Sequence, residues 1–241
     1  MKLEMLWLST ASVARWYLQQ PGWRLIVYAM TNMLKGVQRR KRRLRRRLVV
    51  GKAYDMALEV ARVIPRHARV LDVGCGNGFI AHHLTAILGA NVVGLDVAKD
   101  AEAPIEYLHY NGMQFPVPDN SFDAVLLCYV LHHAQDFNAV LNEVRRVLRD
   151  GGLVVVYEDI PRSWWDSFVC WTHDLRWRSR TGHCTFQCEP EWRTLFDSFG
   201  FEIIDERPLS RWRNLAHPVR HCFYLLKSNG AAKLEMMFSN V

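Results

Sequence analysis

The sequence predicts an α/β fold around a doubly wound parallel sheet, and three observations carry that expectation. Apolar runs that read as strands alternate with segments of helical periodicity between residues 69 and 158. The first of these runs, 69–74, feeds directly into a turn with glycines at 74, 76 and 78. The run at 123–129, Asp-Ala-Val-Leu-Leu-Cys-Tyr, is apolar on both faces, as a central strand of a parallel sheet must be.

Taken in order, residues 69–74 form a first strand and 78–88 its helix, closed by Gly89. Residues 91–96 form a second strand, 105–109 a short third and 123–129 a fourth. Between 136 and 148, Phe137, Val140, Leu141, Val144, Val147 and Leu148 recur at helical spacing. Gly151-Gly152 ends that helix, and 153–158 is the next strand. A helix at 189–199 and two last strands at 201–206 and 220–227 complete the pattern. Strands and helices joined by short links specify a parallel sheet with helices on both faces.

A chain of 241 residues, half of them apolar, has room for one such domain with additions. The net charge of +7 suggests nucleic acid until its distribution is examined. Residues 39–47, Arg-Arg-Lys-Arg-Arg-Leu-Arg-Arg-Arg, hold eight of the 31 basic residues, leaving 23 against 24 acidic ones. The basicity is a local device. We therefore divide the chain into an apolar, then basic, helical extension (1–52) and a main domain (53–241). Six scattered cysteines, with Cys75 in the glycine turn and Cys128 in the fourth strand, predict free thiols in a reducing, cytoplasmic setting. Residues 5–14 are only weakly apolar and carry no convincing secretion signal, and no run reaches the roughly 18–20 apolar residues of a spanning helix.

The glycine turn followed by a strand that ends on Asp96 suits a nucleoside ligand. Gly74 and Gly76 permit a tight turn and leave no Cβ between backbone and ligand. Asp96 can accept hydrogen bonds from both ribose hydroxyls. The dinucleotide fingerprint G-x-G-x-x-G has the same outline, but here Phe79 stands where its third glycine would be, and Asp72 lies inside the strand. Asp72-x-Gly74-x-Gly76-x-Gly78 resembles the first motif of class I S-adenosylmethionine-dependent methyltransferases, in particular the type 11 small-molecule group. Asn111 through Asp123 is similar to that family's loop into the fourth strand, and Leu141 through Gly152 to its next helix and strand. The resemblance covers roughly residues 60–160.

The resemblance implies a Rossmann-like, mostly parallel seven-stranded sheet with an antiparallel edge strand, N-terminal helices beside it, and S-adenosyl-L-methionine as cofactor. It places Asp72, Gly74, Cys75, Gly76 and Gly78 at the methionine end and Asp96 with Val97 at the ribose. Asn111, Gly112 and Met113 fall beside the adenine, with Asn111 where the family usually has Asp. Cys128 and Tyr129 end the fourth strand, where a backbone carbonyl meets the methionine ammonium. His132 and His133 follow, a titratable pair near the position of the methyl group and candidates for a general base.

Residues 161–192 are rich in aromatics, with Trp164, Trp165 and Trp171 as candidate substrate contacts. Such a segment suits a lid over an apolar acceptor or an insert helix packed on the core. His173, His183, Cys184 and Cys188 match no zinc spacing, so no metal is expected. In the extension, Met30, Met33, Leu34, Val37, Leu44 and Leu48 recur at helical steps through the arginine run, with an interruption expected near Gly36. A basic amphipathic helix between 23 and 48 can lie on an anionic membrane, bind RNA phosphates, or stay solvated. The expected function is methyl transfer to a small or lipid-like acceptor. RNA methylation using residues 39–47, and a non-catalytic cofactor-binding adaptor at a membrane or partner, are the alternatives.

Overall fold

A computed structural model describes residues 21–214 and 217–229, with side chains from residue 32 onward. The start of the extension, residues 1–20, therefore lies outside the described residues. The chain divides into two compact units, Met1–Lys52 and Ala53–Val241.

The first described element is helix α1, Pro21–Val60. It runs through Gly36, where an interruption was expected. A glycine inside a helix costs only about 1 kcal/mol, and no proline stands between Pro21 and Pro65 to break the ladder. Residues 32–49 are exposed throughout, Met33, Leu34, Val37, Leu44 and Leu48 among them.

The second unit contains strands β1 (Arg69–Val73), β2 (Asn91–Asp96), β3 (Glu106–His109), β4 (Phe122–Cys128), β5 (Leu148–Asp159), β6 (Phe201–Leu209) and β7 (His221–Ser228). Its helices are α2 (Phe79–Leu88), α3 (Phe137–Val147), α4 (Trp164–Thr181) and α5 (Glu189–Ser198). The sheet order is β3-β2-β1-β4-β5-β7-β6. β1 through β5 pair in parallel, and β7 runs antiparallel to both β5 and β6. Alternate residues of one strand go to opposite faces. Val70, Ala124 and Leu126 join Met56, Ala57, Val60, Ala81 and Leu84 on one side. Leu71, Val73, Val125 and Leu127 pack with Val140, Leu141, Val144, Trp192 and Phe196 on the other. The sheet is thus doubly wound, and the strand order reverses between β1 and β4. A crevice opens outside the carboxyl ends of the strands at such a reversal.

One boundary differs from expectation. Gly151-Gly152 does not close α3. β5 already pairs with β4 at Phe122–Leu148, before the glycines, and resumes at Ala124–Leu153 after a register shift. Gly151 takes φ +71°, and a Cβ on Gly152 would stand 2.8 Å from the Leu148 side chain and 2.9 Å from the Arg149 carbonyl oxygen. The glycines form an irregularity inside the strand.

Candidate cofactor and acceptor site

The glycine turn joins β1 to α2 and is tied to the end of β2. The Gly74 and Cys75 amides donate to the Leu95 carbonyl at 2.7 and 3.2 Å, and the Gly78 amide donates to the Cys75 carbonyl at 2.9 Å. Gly74, Gly76 and Gly78 all have positive φ, +65°, +54° and +75°. Their missing Cβ atoms serve different ends. A Cβ on Gly74 would stand 2.4 Å from Val130 Cγ2, and one on Gly78 2.7 Å from Ile105 Cδ1. At Gly76 nothing lies within 4 Å. Gly74 and Gly78 are needed for internal packing, and only Gly76 presents bare backbone to open space. Cys75 is half-buried; burial first, then Asp72 and Asp96, push its thiol well above the usual range and leave it un-ionised.

Asp72 is buried, 1% exposed, at the end of β1. The Ala81 amide of α2 favours its charged form, so the carboxyl does the capping that Gly78 cannot. Burial, followed by the charge of Asp96, nevertheless raises its pKa to about 7. Its Oδ2 is a buried atom without a hydrogen-bond partner. At the end of β2, Asp96 Oδ2 accepts from the Gly76 amide at 2.8 Å and Oδ1 from the Ala98 amide at 2.9 Å. Each oxygen keeps a second lone pair for a ribose hydroxyl.

Val97 and Met113 are exposed, and a Cβ on Gly112 would lie 3.6 Å from Val97 Cγ1, so these three residues adjoin one another. Asn111 is engaged in its own turn. Its Oδ1 accepts from the Met113 and Gln114 amides at 2.9 and 3.3 Å. That Asx turn uses the oxygen that would have received the adenine amino group.

At the end of β4, half-buried Cys128 stands in register with Tyr157 of β5. Tyr129 follows at φ +61°, an unusual conformation for a bulky residue, held by the hydrogen bond its amide donates to the Tyr157 carbonyl at 2.8 Å. A 3-10 turn, Leu131–His133, comes next. Buried His132 directs Nδ1 at Glu158 Oε2, 2.5 Å away. Burial opposes protonation of this ring, but the charge and hydrogen bond of Glu158 outweigh it and raise the pKa. His133 behaves oppositely: burial, then the charges of His132 and His173, lower its pKa to about 3. A base that weak has little tendency to take a proton from a hydroxyl near neutral pH, which removes the reason for assigning it general-base work.

α4 has two unlike faces. At about 100° per residue, Trp164, Phe168, Trp171 and Leu175 share one side, and all four are exposed. Trp165 lies at its flank. Asp166, Val169, Cys170, His173 and Trp177 lie on the other, with Val169 and Cys170 packed on Val219 and Phe186. The rings that reach His132 and His133 are Phe186, stacked on His132 at 5.0 Å, and Trp177, edge-on to His133 at 5.5 Å. Trp164, Trp165 and Trp171 are not among them. His173 joins the pair from this inward face, its Nε2 3.1 Å from His133 Nε2. Burial, then the charges of His217 and His132, lower its pKa to about 4. Behind it, Asp159 binds His217 and His221, each at 2.7 Å.

A seven-stranded sheet of this order, with a glycine turn at β1 and an acid at the end of β2, is built like the doubly wound frames that bind nucleosides. Residues 71–156 match a family model described as a methyltransferase domain. That stretch is similar to the methyltransferase domain of class I S-adenosylmethionine-dependent enzymes, whose fold the sheet shares. The chain is 37% identical over 157 residues to a sterol 24-C-methyltransferase of Aspergillus fumigatus, covering 59% of this chain and 42% of that one. It is 36% identical over 107 residues to the demethylmenaquinone methyltransferase of Bacillus licheniformis, covering 39% and 46%. The match thus spans less than half the length of either relative. The 1,6-didemethyltoxoflavin-N1-methyltransferase of Burkholderia thailandensis, solved with S-adenosylhomocysteine, shares the fold at a TM-score of 0.57 and 16% identity, over 73% of this chain and 76% of that one.

Proposed function

We propose that the chain transfers the methyl group of S-adenosylmethionine to a small, lipid-like acceptor. The observation that supports this most is the bare backbone at Gly76, flanked by the unpartnered Asp72 oxygen and the Asp96 carboxylate. An extended ligand with an ammonium at one end and a ribose at the other fits that row of groups. When bound, the sulfonium supplies an activated methyl group. The chain then needs only to hold donor and acceptor in line, since proximity accounts for much of the rate in such transfers. The sterol and demethylmenaquinone methyltransferases among the relatives favour a lipid-like acceptor.

The extension fits peripheral binding to an anionic membrane face. Its arginine run and apolar seam are both exposed, and each basic residue near such a surface contributes about 1 kcal/mol before crowding. Among the described residues no helix is long and apolar enough to cross a membrane.

Titration calorimetry with S-adenosylhomocysteine tests the cofactor, with Asp96→Ala expected to weaken binding at least tenfold. Labelled S-adenosylmethionine, incubated with fractionated extract, tests the acceptor: label should appear in the lipid fraction, and label in RNA would overturn this reading. Flotation with vesicles containing phosphatidylserine, with residues 39–47 intact or neutralised, tests the membrane contact.

A further inference from the structure

Three histidines converge at the carboxyl end of the sheet, and we propose that they hold a divalent transition-metal ion. His132 and His133 come from the 3-10 turn after β4, and His173 from the middle of α4. One ring nitrogen of each lies within 4.8 Å of the other two. His133 Nε2 and His173 Nε2 are 3.1 Å apart. Two imidazoles on a tetrahedral ion at about 2.0–2.1 Å stand roughly 3.3 Å from each other. That pair is already close to ligand spacing, and only His132 must approach.

The far side of each β4-turn ring is held as ligand rings are held. His132 Nδ1 meets Glu158 Oε2 at 2.5 Å. The other Glu158 oxygen accepts the Val130 and Leu131 amides at 3.1 and 2.7 Å, which prevents the carboxyl from swinging. A carboxylate on the far nitrogen is the usual partner of a metal-bound imidazole and fixes its tautomer. Glu158 holds a proton on Nδ1, so an ion would have to displace only the proton on Nε2, and that nitrogen is buried without a hydrogen-bond partner. Leaving such an atom unpaired costs about 1–3 kcal/mol. On His133, Nδ1 lies 3.3 Å from both Thr181 Oγ1 and Cys184 Sγ, so Nε2 is the nitrogen turned toward His173.

A simple hydrogen bond between His133 and His173 would satisfy two of the three nitrogens and leave His132 Nε2 unexplained. A cation satisfies all three. Buried Glu158 and Asp159 stand behind the cluster, the latter bound to His217 and His221, and their carboxyl groups favour added positive charge. Three imidazoles suit zinc, cobalt, nickel or copper and are poor ligands for magnesium or calcium. Cys184 Sγ lies on the Nδ1 side of His133, away from the nitrogen turned toward His173. Three protein ligands leave one tetrahedral position open, as in catalytic zinc sites. Binding of the ion stands apart from the methyl-transfer reading; its use by an acceptor oxygen rests on that reading.

The test uses the full chain without a histidine tag, stripped with a chelator and titrated with Co2+ and then Zn2+. One equivalent of Co2+ should give the visible absorption of a tetrahedral site, and Zn2+ should bleach it. His133→Ala and His173→Ala should each weaken Co2+ at least tenfold, with circular dichroism confirming the fold. His183→Ala, an exposed neighbour outside the cluster, should bind as the parent does. Absence of a saturable Co2+ spectrum, or equal affinity in the His133→Ala/His173→Ala double variant, overturns the proposal. S-adenosylhomocysteine calorimetry on the same samples separates the two readings. A parent that binds Co2+ but no cofactor refutes methyl transfer and supports the ion; cofactor binding without Co2+ does the reverse.

Discussion

Replacing Asp72 with asparagine should change how stability depends on pH. The carboxyl is 1% exposed, and burial with the charge of Asp96 lifts its pKa from 3.8 to about 7. The nearest titrating neighbours are Asp96 and the Cys75 thiol, and the latter stays protonated across the range concerned. A carboxyl with a raised folded-state pKa binds a proton in the folded chain that the unfolded chain has released. Stability therefore falls as pH rises from about 4 to about 7 and is level above that. At about 1.4 kcal/mol per pH unit, the interval is worth roughly 4 kcal/mol at most. The substituted amide would keep an oxygen for the Ala81 amide and carry no charge. Asp72→Asn should therefore lie closest to the parent near pH 4 and exceed it by up to a few kcal/mol at pH 8. Urea unfolding at half-unit steps of pH measures this. Parallel curves for parent and variant from pH 4.5 to 8 would refute the argument that buried charge at Asp72 is costly. The ligand adds a second readout: an ammonium beside Asp72 relieves the same penalty, so S-adenosylmethionine should raise the melting temperature of the parent more at pH 8 than at pH 6.

Two glycines of the turn separate packing from ligand contact. Gly74→Ala forces a Cβ against Val130 and should cost roughly 2–4 kcal/mol in urea, whereas Gly76→Ala carries only left-handed strain of about 1–2 kcal/mol yet should lose more cofactor affinity per unit of stability. Arg213 holds Glu59 through two 2.8 Å bonds, and Tyr157 donates a third at 2.9 Å. Burial alone would raise the Glu59 pKa, but these partners lower it. Its contribution is therefore present above about pH 4.5 and lost below; with both side chains about a quarter exposed, Arg213→Ala should cost about 1 kcal/mol at pH 7 and converge with the parent in acid. Phe168→Ser and Trp171→Ser, both on the exposed side of α4, should leave urea midpoints within about 0.5 kcal/mol and reduce vesicle flotation if this face meets lipid; unchanged flotation would remove α4 from the membrane contact.

Much of the sheet was legible because its signals are local. Residues 91–96 are apolar between Asn91 and Asp96, and the strand occupies those residues. A helix at 136–148 followed from six apolar positions in register, and α3 needs no tertiary partner to reveal its period. The misplaced element turned on one pair of glycines. Gly151-Gly152 stops a helix and also permits an irregular strand, and only the Phe122–Leu148 pairing decides between them. Similarly, the three-glycine turn announced a ligand-binding backbone, but Val130 and Ile105, which fill the space at Gly74 and Gly78, are far from them in sequence. The histidine cluster is the extreme case. His133 and His173 are 40 residues apart, so no spacing rule for metal ligands could have joined them, and the carboxyl that orients His132 comes from a different strand.

α4 carries the same lesson into function. Trp164, Phe168, Trp171 and Leu175 follow each other at steps of four, three and four, a period that normally marks the face turned to the core. The helix is docked the other way. Its buried side presents Asp166, which accepts from the Ser163 hydroxyl at 2.7 Å, Asp174, which accepts the Cys184 amide at 2.9 Å, and His173. Burying polar groups costs free energy unless each finds a partner, and here the partners lie in the loops on either side of α4 and in the β4 turn. Those inward partners determine which face is left outside. The aromatic ridge is exposed while the polar face is committed to holding His173 against His133. One helix therefore positions a member of the histidine cluster with one side and leaves an apolar stripe exposed on the other.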